Sequence, residues 1–220
     1  MEIHPTAIVD PKARLPRTGT IGPYTIVEGA VEIGEGTTLA AHVIIRRGVR
    51  LGAHCQVHSG AVLGGEPQDK NFPGGESYVI IGDHNILREY VTVHRGTTPG
   101  SATRVGDHNF LMAGAHVGHN ATVGNYVVLA NNVLLGGYVT VEDYAFLGGG
   151  AGVHQHCRVG KLAMVGGQVR VIQDVPPFLL AADFDVAAKG LNLVGLRRYG
   201  MSPEKISALK KAYQLLYRSK

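Results

Sequence analysis

The sequence has no tryptophan, only 6% aromatic residues and just two cysteines in 220 residues. With so few large rings, the core must be built from small and β-branched side chains, which points away from a helical bundle. Cys55 and Cys157 are too few for a disulfide scaffold and suit a reducing, cytoplasmic setting. Nowhere do 18 apolar residues follow one another, so no membrane-spanning helix is expected. The opening Met1-Glu2-Ile3-His4-Pro5 lacks the basic stretch and apolar run of an export signal. Charge is missing from one whole segment: between His108 and Val141 there is no Asp, Glu, Lys or Arg. A solenoid that turns half its side chains outward would expose a broad uncharged surface there, the mark of a protein interface in a closed cyclic assembly.

Glycine, by contrast, reaches 31 residues, and 45% of the chain is hydrophobic, enough for a sizeable core. The net charge of +4 is uneven: from Lys189 onward eight basic residues face the single Glu204, a balance of +7 that leaves −3 for the rest. Such a basic tail attracts an acidic partner at long range. Aromatic stacking platforms are not evident, so nucleic acid is not the expected partner.

A period of six runs through the chain. Stepping by six from Ile3 to Val171 visits 29 positions, of which 26 are Ile, Leu or Val; only Asp69, Gly75 and Pro99 break the series. Four residues after each lies a small or β-branched side chain, as at Ala7, Thr25, Val43, Cys55, Ala61, Ala115, Ala121, Ala145 and Cys157. Both cysteines therefore read as small core residues. Period six fits neither helix nor isolated hairpin but does fit a parallel β-helix, an all-β solenoid with three hexapeptides and 18 residues per coil. The expected organisation is a β-helix over 1–176, loops projecting at 64–80 and 97–104, and a C-terminal helical appendage over 177–220. Within that appendage, Ser202-Pro203 reads as an N-cap with Pro in the first helical position. The stripe Ile206, Leu209, Ala212, Tyr213 and Leu216 gives its helix an apolar face.

An 18-residue coil turns spacing into neighbourhood: His119, Gly137 and Gln155 fall in one column, with Asn120, Tyr138 and His156 beside it. His42, His54, His84, His108 and His156 all take the fourth position of a hexapeptide, where a ring faces solvent or stacks between coils. His119 differs, lying in the charge-free stretch, directly beneath a glycine and one corner from His116. A neutral imidazole can accept the proton of an attacking alcohol, and a glycine N–H one coil above can hold the oxyanion of a thioester under attack. His119 and Gly137 are thus candidate catalytic groups for acyl transfer to a hydroxyl.

Several motifs carry a resemblance over essentially the whole chain. They are Gly65-Glu66-Pro67-Gln68-Asp69, His94-Arg95-Gly96-Thr97, Ala115-His116-Val117-Gly118-His119, Val153-His154-Gln155, Gln173-Asp174-Val175-Pro176-Pro177 and Gly190-Leu191-Asn192. With these the chain resembles the bacterial acyl-[acyl-carrier-protein]–UDP-N-acetylglucosamine O-acyltransferases, which begin lipid A synthesis. The resemblance implies a left-handed coil, a homotrimer with sites in clefts between subunits, and no cofactor, the acyl carrier protein arriving as substrate with its phosphopantetheine arm. It also implies that His119 is the general base toward the sugar 3-hydroxyl, and that Gly137 is the oxyanion donor. Gln68, Asp69, His116, His154, Gln155, Asn192 and Arg198 match positions that hold the nucleotide sugar or the acyl pantetheine arm. Tyr138 falls at another substrate-side position, and Gly167 at the one that limits acyl length, where glycine leaves room for a longer chain.

The chain departs from that pattern in places. Asn120 stands where many members have Asp, removing carboxylate support of the imidazole; Tyr138 replaces a usual His and Val194 a usual Glu. The loop lysine is displaced to Lys70, with Asn71 in its place, and the family's helical tail runs longer. Three alternatives accompany the resemblance: acylation of a 3-amino nucleotide sugar, a zinc enzyme like the γ-type carbonic anhydrases, and an inactive scaffold paralogue. His94, His116 and His119 invite the zinc comparison, but the last two are three residues apart rather than that family's five, and no metal is expected.

Overall fold

The computed structural model describes residues 1–182 and 187–218. Ser219 and Lys220, the end of the basic tail and of the resemblance, lie outside the described residues. Strands of mostly two residues stack into three sheets of 11, 9 and 7 strands, parallel except for the last strand of the first, and visited in turn as the chain winds. This is the left-handed parallel β-helix that the resemblance implies. The first face runs through Ile21, Leu39 and Val57, the second through Val27, Ile45 and Leu63, and the third through Ile33, Leu51 and Ile81.

Most rungs pair residues 18 apart, such as Ile26 with Ile44 and His116 with Leu134. Across the first loop the partners are 30 apart, as in Leu63 with Val93; across the second they are 24 apart, as in Val93 with Val117. The insertions are therefore 12 and 6 residues, two hexapeptides and one. Asp69 and Gly75 are the two surplus positions of the first and Pro99 that of the second, which is why they alone break the series. The loops are shorter than the sequence reading placed them. Tyr78–Ile81 and Ala102–Val105 are strands paired with each other, because their backbone groups find ladder partners once the chain rejoins the third face.

The inward series is buried throughout, from Ile21 to Val171. Cys55 and Cys157 sit in the same core as free thiols, and burial pushes the Cys55 thiol up to about 11, so it is inert packing. At the corners the fourth residue of many hexapeptides takes a positive φ, close to 57° at His54, His84, His108 and Tyr126. Their rings stack in a column, His54 on His84 on His108 on Tyr126 on Tyr144, with centroids 4.7–5.0 Å apart. That spacing matches the rise between coils, so ring contact offsets part of the left-handed backbone cost. Corners also strand buried N–H groups, and polar side chains at the fifth position meet them: Thr25 Oγ1 accepts from Val43 N, and Asn85 Oδ1 from Asn109 N at 2.8 Å.

The sequence reading treats everything after Pro177 as helical, but the structure differs. Leu179–Ala182 adds a further parallel strand beside Met164–Val165, and Ala187–Leu191 pairs back on it antiparallel. The open sheet edge offers hydrogen-bond partners that outweigh the helical propensity of an Ala- and Leu-rich stretch. Two helices follow, α1 (Leu193–Arg198) and α2 (Pro203–Tyr217), the latter capped by the Ser202 side chain at Lys205 N. Ile206 packs with Leu162 and Leu196, and Leu209 leans on them, but Ala212 and Leu216 are exposed because the helix leaves the prism after its first turns.

The buried amide of Asn85 also donates to Gly82 O and Gly106 O, so it holds two coils together. Asn85→Ala should destabilise the protein by about 1–3 kcal/mol. Thermal unfolding checks this, and an unchanged melting temperature contradicts the role.

Candidate active site

Both loops leave the prism at one edge, between the second and third faces. Arg95 ties the first loop down: its guanidinium donates to Gly75 O and Glu66 Oε1 and lies 5.1 Å over the Phe72 ring. Beyond the loops along this edge come His119, Gly137 and Gln155, one per coil. Tyr138 N donates to His119 O and His156 N to Gly137 O, which confirms the rungs. A Cβ at Gly137 would press into the His119 ring, so any side chain there would push the imidazole from its place.

The peptide N–H of Gly137 has no hydrogen-bond partner among the described residues. The edge between the third and first faces is built differently: at the same hexapeptide position the next coil caps four successive N–H groups with side chains, Asp83 on Ala53 N, Asp107 on Asp83 N, Asn125 on Asp107 N and Asp143 on Asn125 N. No such cap covers Gly137, and Gln155 above it is exposed.

A groove of about 830 Å³ runs from Tyr90 and Gly114 across the second face to His119, Gly137 and Gln155. Gln68, His116 and His154, expected from the sequence, line it too. His116 Nδ1 lies 2.7 Å from Thr92 Oγ1, and the His94 ring meets His116 edge-on at 4.8 Å. Burial, with the neighbouring His94 and His119, pushes the His116 pKa down to about 4, so this ring stays neutral near pH 7. His94 is lowered for the same reasons, burial first and then His119.

Other expected residues lie elsewhere. Asp69 is spent on its own loop, accepting from Asn71 N at 2.9 Å. The Tyr138 hydroxyl meets Thr97 Oγ1 at 2.9 Å and its ring stacks on His156, so it supports the edge rather than lining the groove. Gly167 sits at the corner between the first and second faces, against Gly149. Asn192 caps α1, accepting from Gly195 N and donating to Leu162 O, and Arg198 is exposed on the last turn of that helix. The carboxylate expected to be lost at Asn120 is absent, but its amide oxygen keeps a contact, with Oδ1 3.1 Å from His119 Nδ1. The sequence reading missed Thr92 and Arg170, and gave Thr97 no role although it closes one of the motifs. Knowing that the second loop inserts one hexapeptide would have put Thr92 below His116, while the plain 18-residue spacing already puts Arg170 above Gly152.

Two family models match, the bacterial transferase hexapeptide over residues 102–137 and the second domain of UDP-N-acetylglucosamine O-acyltransferase over 174–220. An acyl-[acyl-carrier-protein]–UDP-N-acetylglucosamine O-acyltransferase from Halorhodospira halophila is 45% identical over 98% of this chain and 84% of its own length. One of the same name from Synechocystis is 46% identical over 71% of this chain, an alignment that spans about half (56%) of that relative. The crystal structure of the UDP-N-acetylglucosamine O-acyltransferase of Moraxella catarrhalis superposes with a TM-score of 0.95 at 40% identity, over 100% of this chain and 86% of that one. The chain belongs to the UDP-N-acetylglucosamine O-acyltransferase family. The amine-acylating, zinc and scaffold alternatives gain no support from these O-acyltransferase relatives. Among the described residues no three His, Cys, Asp or Glu side chains gather as metal ligands, and no helix is long and apolar enough to cross a membrane.

The depressed His116 pKa predicts a contribution to stability that acid removes in a defined window. Between about 6.5 and about 4 the unfolded chain takes up a proton that the folded ring refuses, so this contribution is whole above 6.5 and is lost as pH falls toward 4. In His116→Gln the melting temperature should fall less steeply over that window. Identical slopes in the two proteins contradict the assignment.

Proposed function

We propose that this chain transfers a 3-hydroxyacyl group from acyl carrier protein to the 3-hydroxyl of UDP-N-acetylglucosamine, the first step of lipid A biosynthesis. The observation that carries the reading is the His119 ring lying against Gly137, whose N–H is unpaired, at the end of a groove. With Nδ1–H given to Asn120 Oδ1, Nε2 keeps its lone pair and serves as the base. It takes the proton of the sugar hydroxyl as that oxygen attacks the thioester carbonyl. The Gly137 N–H receives the developing oxyanion, at a place where no side chain blocks approach. Collapse of the tetrahedral adduct breaks the C–S bond, and the imidazolium returns its proton to the departing pantetheine thiolate. The reaction needs no cofactor beyond the arm of the carrier protein.

The working unit in this proposal is a closed homotrimer. The charge-free stretch supplies exposed Tyr126 and Leu134 as contact surface. Asn192, against Leu162 at the corner between the third and first faces, and Arg198 beyond it lie away from the His119 edge, so a neighbouring copy would bring them to the groove as nucleotide ligands. Gly167, beyond the far side of the second face, would lie where the acyl chain ends. The basic C-terminal segment suits the acidic carrier protein, and the free thiols suit the cytoplasm.

Purified protein given UDP-N-acetylglucosamine and 3-hydroxyacyl carrier protein should form the 3-O-acyl sugar nucleotide. His119→Ala should lower kcat by about 10²–10⁴. No product from the wild type, or unchanged turnover in the variant, refutes the proposal.

A further inference from the structure

The contact between His119 Nδ1 and Asn120 Oδ1 does not by itself choose an imidazole tautomer. An amide presents oxygen on one side and NH2 on the other, and a neutral ring can meet either one. With the oxygen facing it, Nδ1 carries the proton and Nε2 is free to accept. With the amide reversed, its NH2 donates to Nδ1, the proton moves to Nε2, and the ring cannot act as a base toward the groove.

One residue breaks this degeneracy. Thr97, in the second loop and 6% exposed, approaches the same atom twice: its backbone N–H donates to Asn120 Oδ1 at 3.0 Å, and its hydroxyl does so at 2.9 Å. A peptide N–H can only donate, so the atom it meets must be the oxygen. Reversal would set NH2 against a buried N–H and leave both without acceptors. The Tyr138 hydroxyl, 2.9 Å from Thr97 Oγ1, can donate to that oxygen and so aim its hydrogen at Asn120. The Asn120 backbone is pinned separately, its N–H donating to Thr103 Oγ1 at 2.8 Å. No protein group holds the Asn120 Nδ2 among the described residues.

We propose that Thr97 is a positioning residue: it holds the Asn120 amide with its oxygen toward His119 and thereby keeps the ring in the Nδ1–H tautomer. The proposal rests on the acyl-transfer reading for its effect on rate, but not for the orientation itself. A carboxylate has no wrong orientation, and the decisive experiment uses that fact.

Thr97→Val keeps the peptide N–H and removes the hydroxyl, one of the two donors that fix the amide; it should lower kcat about threefold to tenfold with KM little changed, through loss of one hydrogen bond and partial reversal of the amide. Thr97→Ser should restore it. With Asn120→Asp already present, adding Thr97→Val should change kcat by less than about twofold, since the carboxylate accepts from Nδ1 either way round. Equal losses in both backgrounds, no loss in Thr97→Val, or no recovery in Thr97→Ser overturns the proposal. A second measurement is independent of turnover: the ring ¹⁵N resonances of His119, assigned by difference from His119→Ala. The wild type should show a protonated Nδ1 and a bare Nε2, and Thr97→Val a mixture; a protonated Nε2 in the wild type overturns the proposal. A wild type that acylates nothing yet shows the bare Nε2 would refute the acyl-transfer reading and leave the tautomer assignment standing.

Discussion

The site depends on register: one rung of parallel backbone hydrogen bonds must follow another without slipping. A side chain at a given hexapeptide position reappears above itself only if each coil returns to the same phase. Loop insertions threaten that phase, and this chain admits them only as whole hexapeptides, 12 residues in one coil and 6 in the next. A slip of one residue would exchange inward Leu and Val for outward polar groups along the rest of the prism. It would also carry His119 off the edge where Gly137 waits.

The same edge shows how a repetitive scaffold becomes a site by omission. On the edge between the third and first faces, Asp and Asn side chains cap the corner N–H groups coil after coil and rings stack over one another. On the His119 edge a glycine stands above the imidazole, and no side chain among the described residues covers its N–H. What remains is a bare donor and an adjacent imidazole, held by a framework rigid enough that neither has to reorganise on reaction. The loops add what the prism cannot. Gln68 comes from the first into the groove, while the second brings Thr97 behind the His119–Asn120 pair.

Much of this was legible in the residues. The inward series, the small fifth positions and the column of His119, Gly137 and Gln155 all follow from period six, and whole-hexapeptide insertions kept the count in phase. What escaped was whatever depended on loop length. Thr92 stands 24 residues before His116, so an 18-residue rule misses their pairing, and the approach of Thr97 to Asn120 arises from loop geometry that periodicity does not carry. The hairpin after Pro177 escaped because an open sheet edge overruled propensity. The resemblance marked Asn120 and Tyr138 as departures from the family pattern; the structure joins them through one hydroxyl. Asn192 and Arg198 find no place at the groove of their own chain, since a single chain does not hold the second wall that the proposed trimer would provide.

The central claim is that an imidazole with a bare Nε2 and an unpaired glycine N–H, on adjacent rungs, act on one substrate. A crystal structure with UDP-N-acetylglucosamine bound tests it most directly. The account predicts the sugar 3-hydroxyl within about 3 Å of His119 Nε2, and space for an acyl carbonyl oxygen at the Gly137 N–H. A sugar bound at another edge of the prism, or in the groove with that hydroxyl turned away from His119, would contradict it.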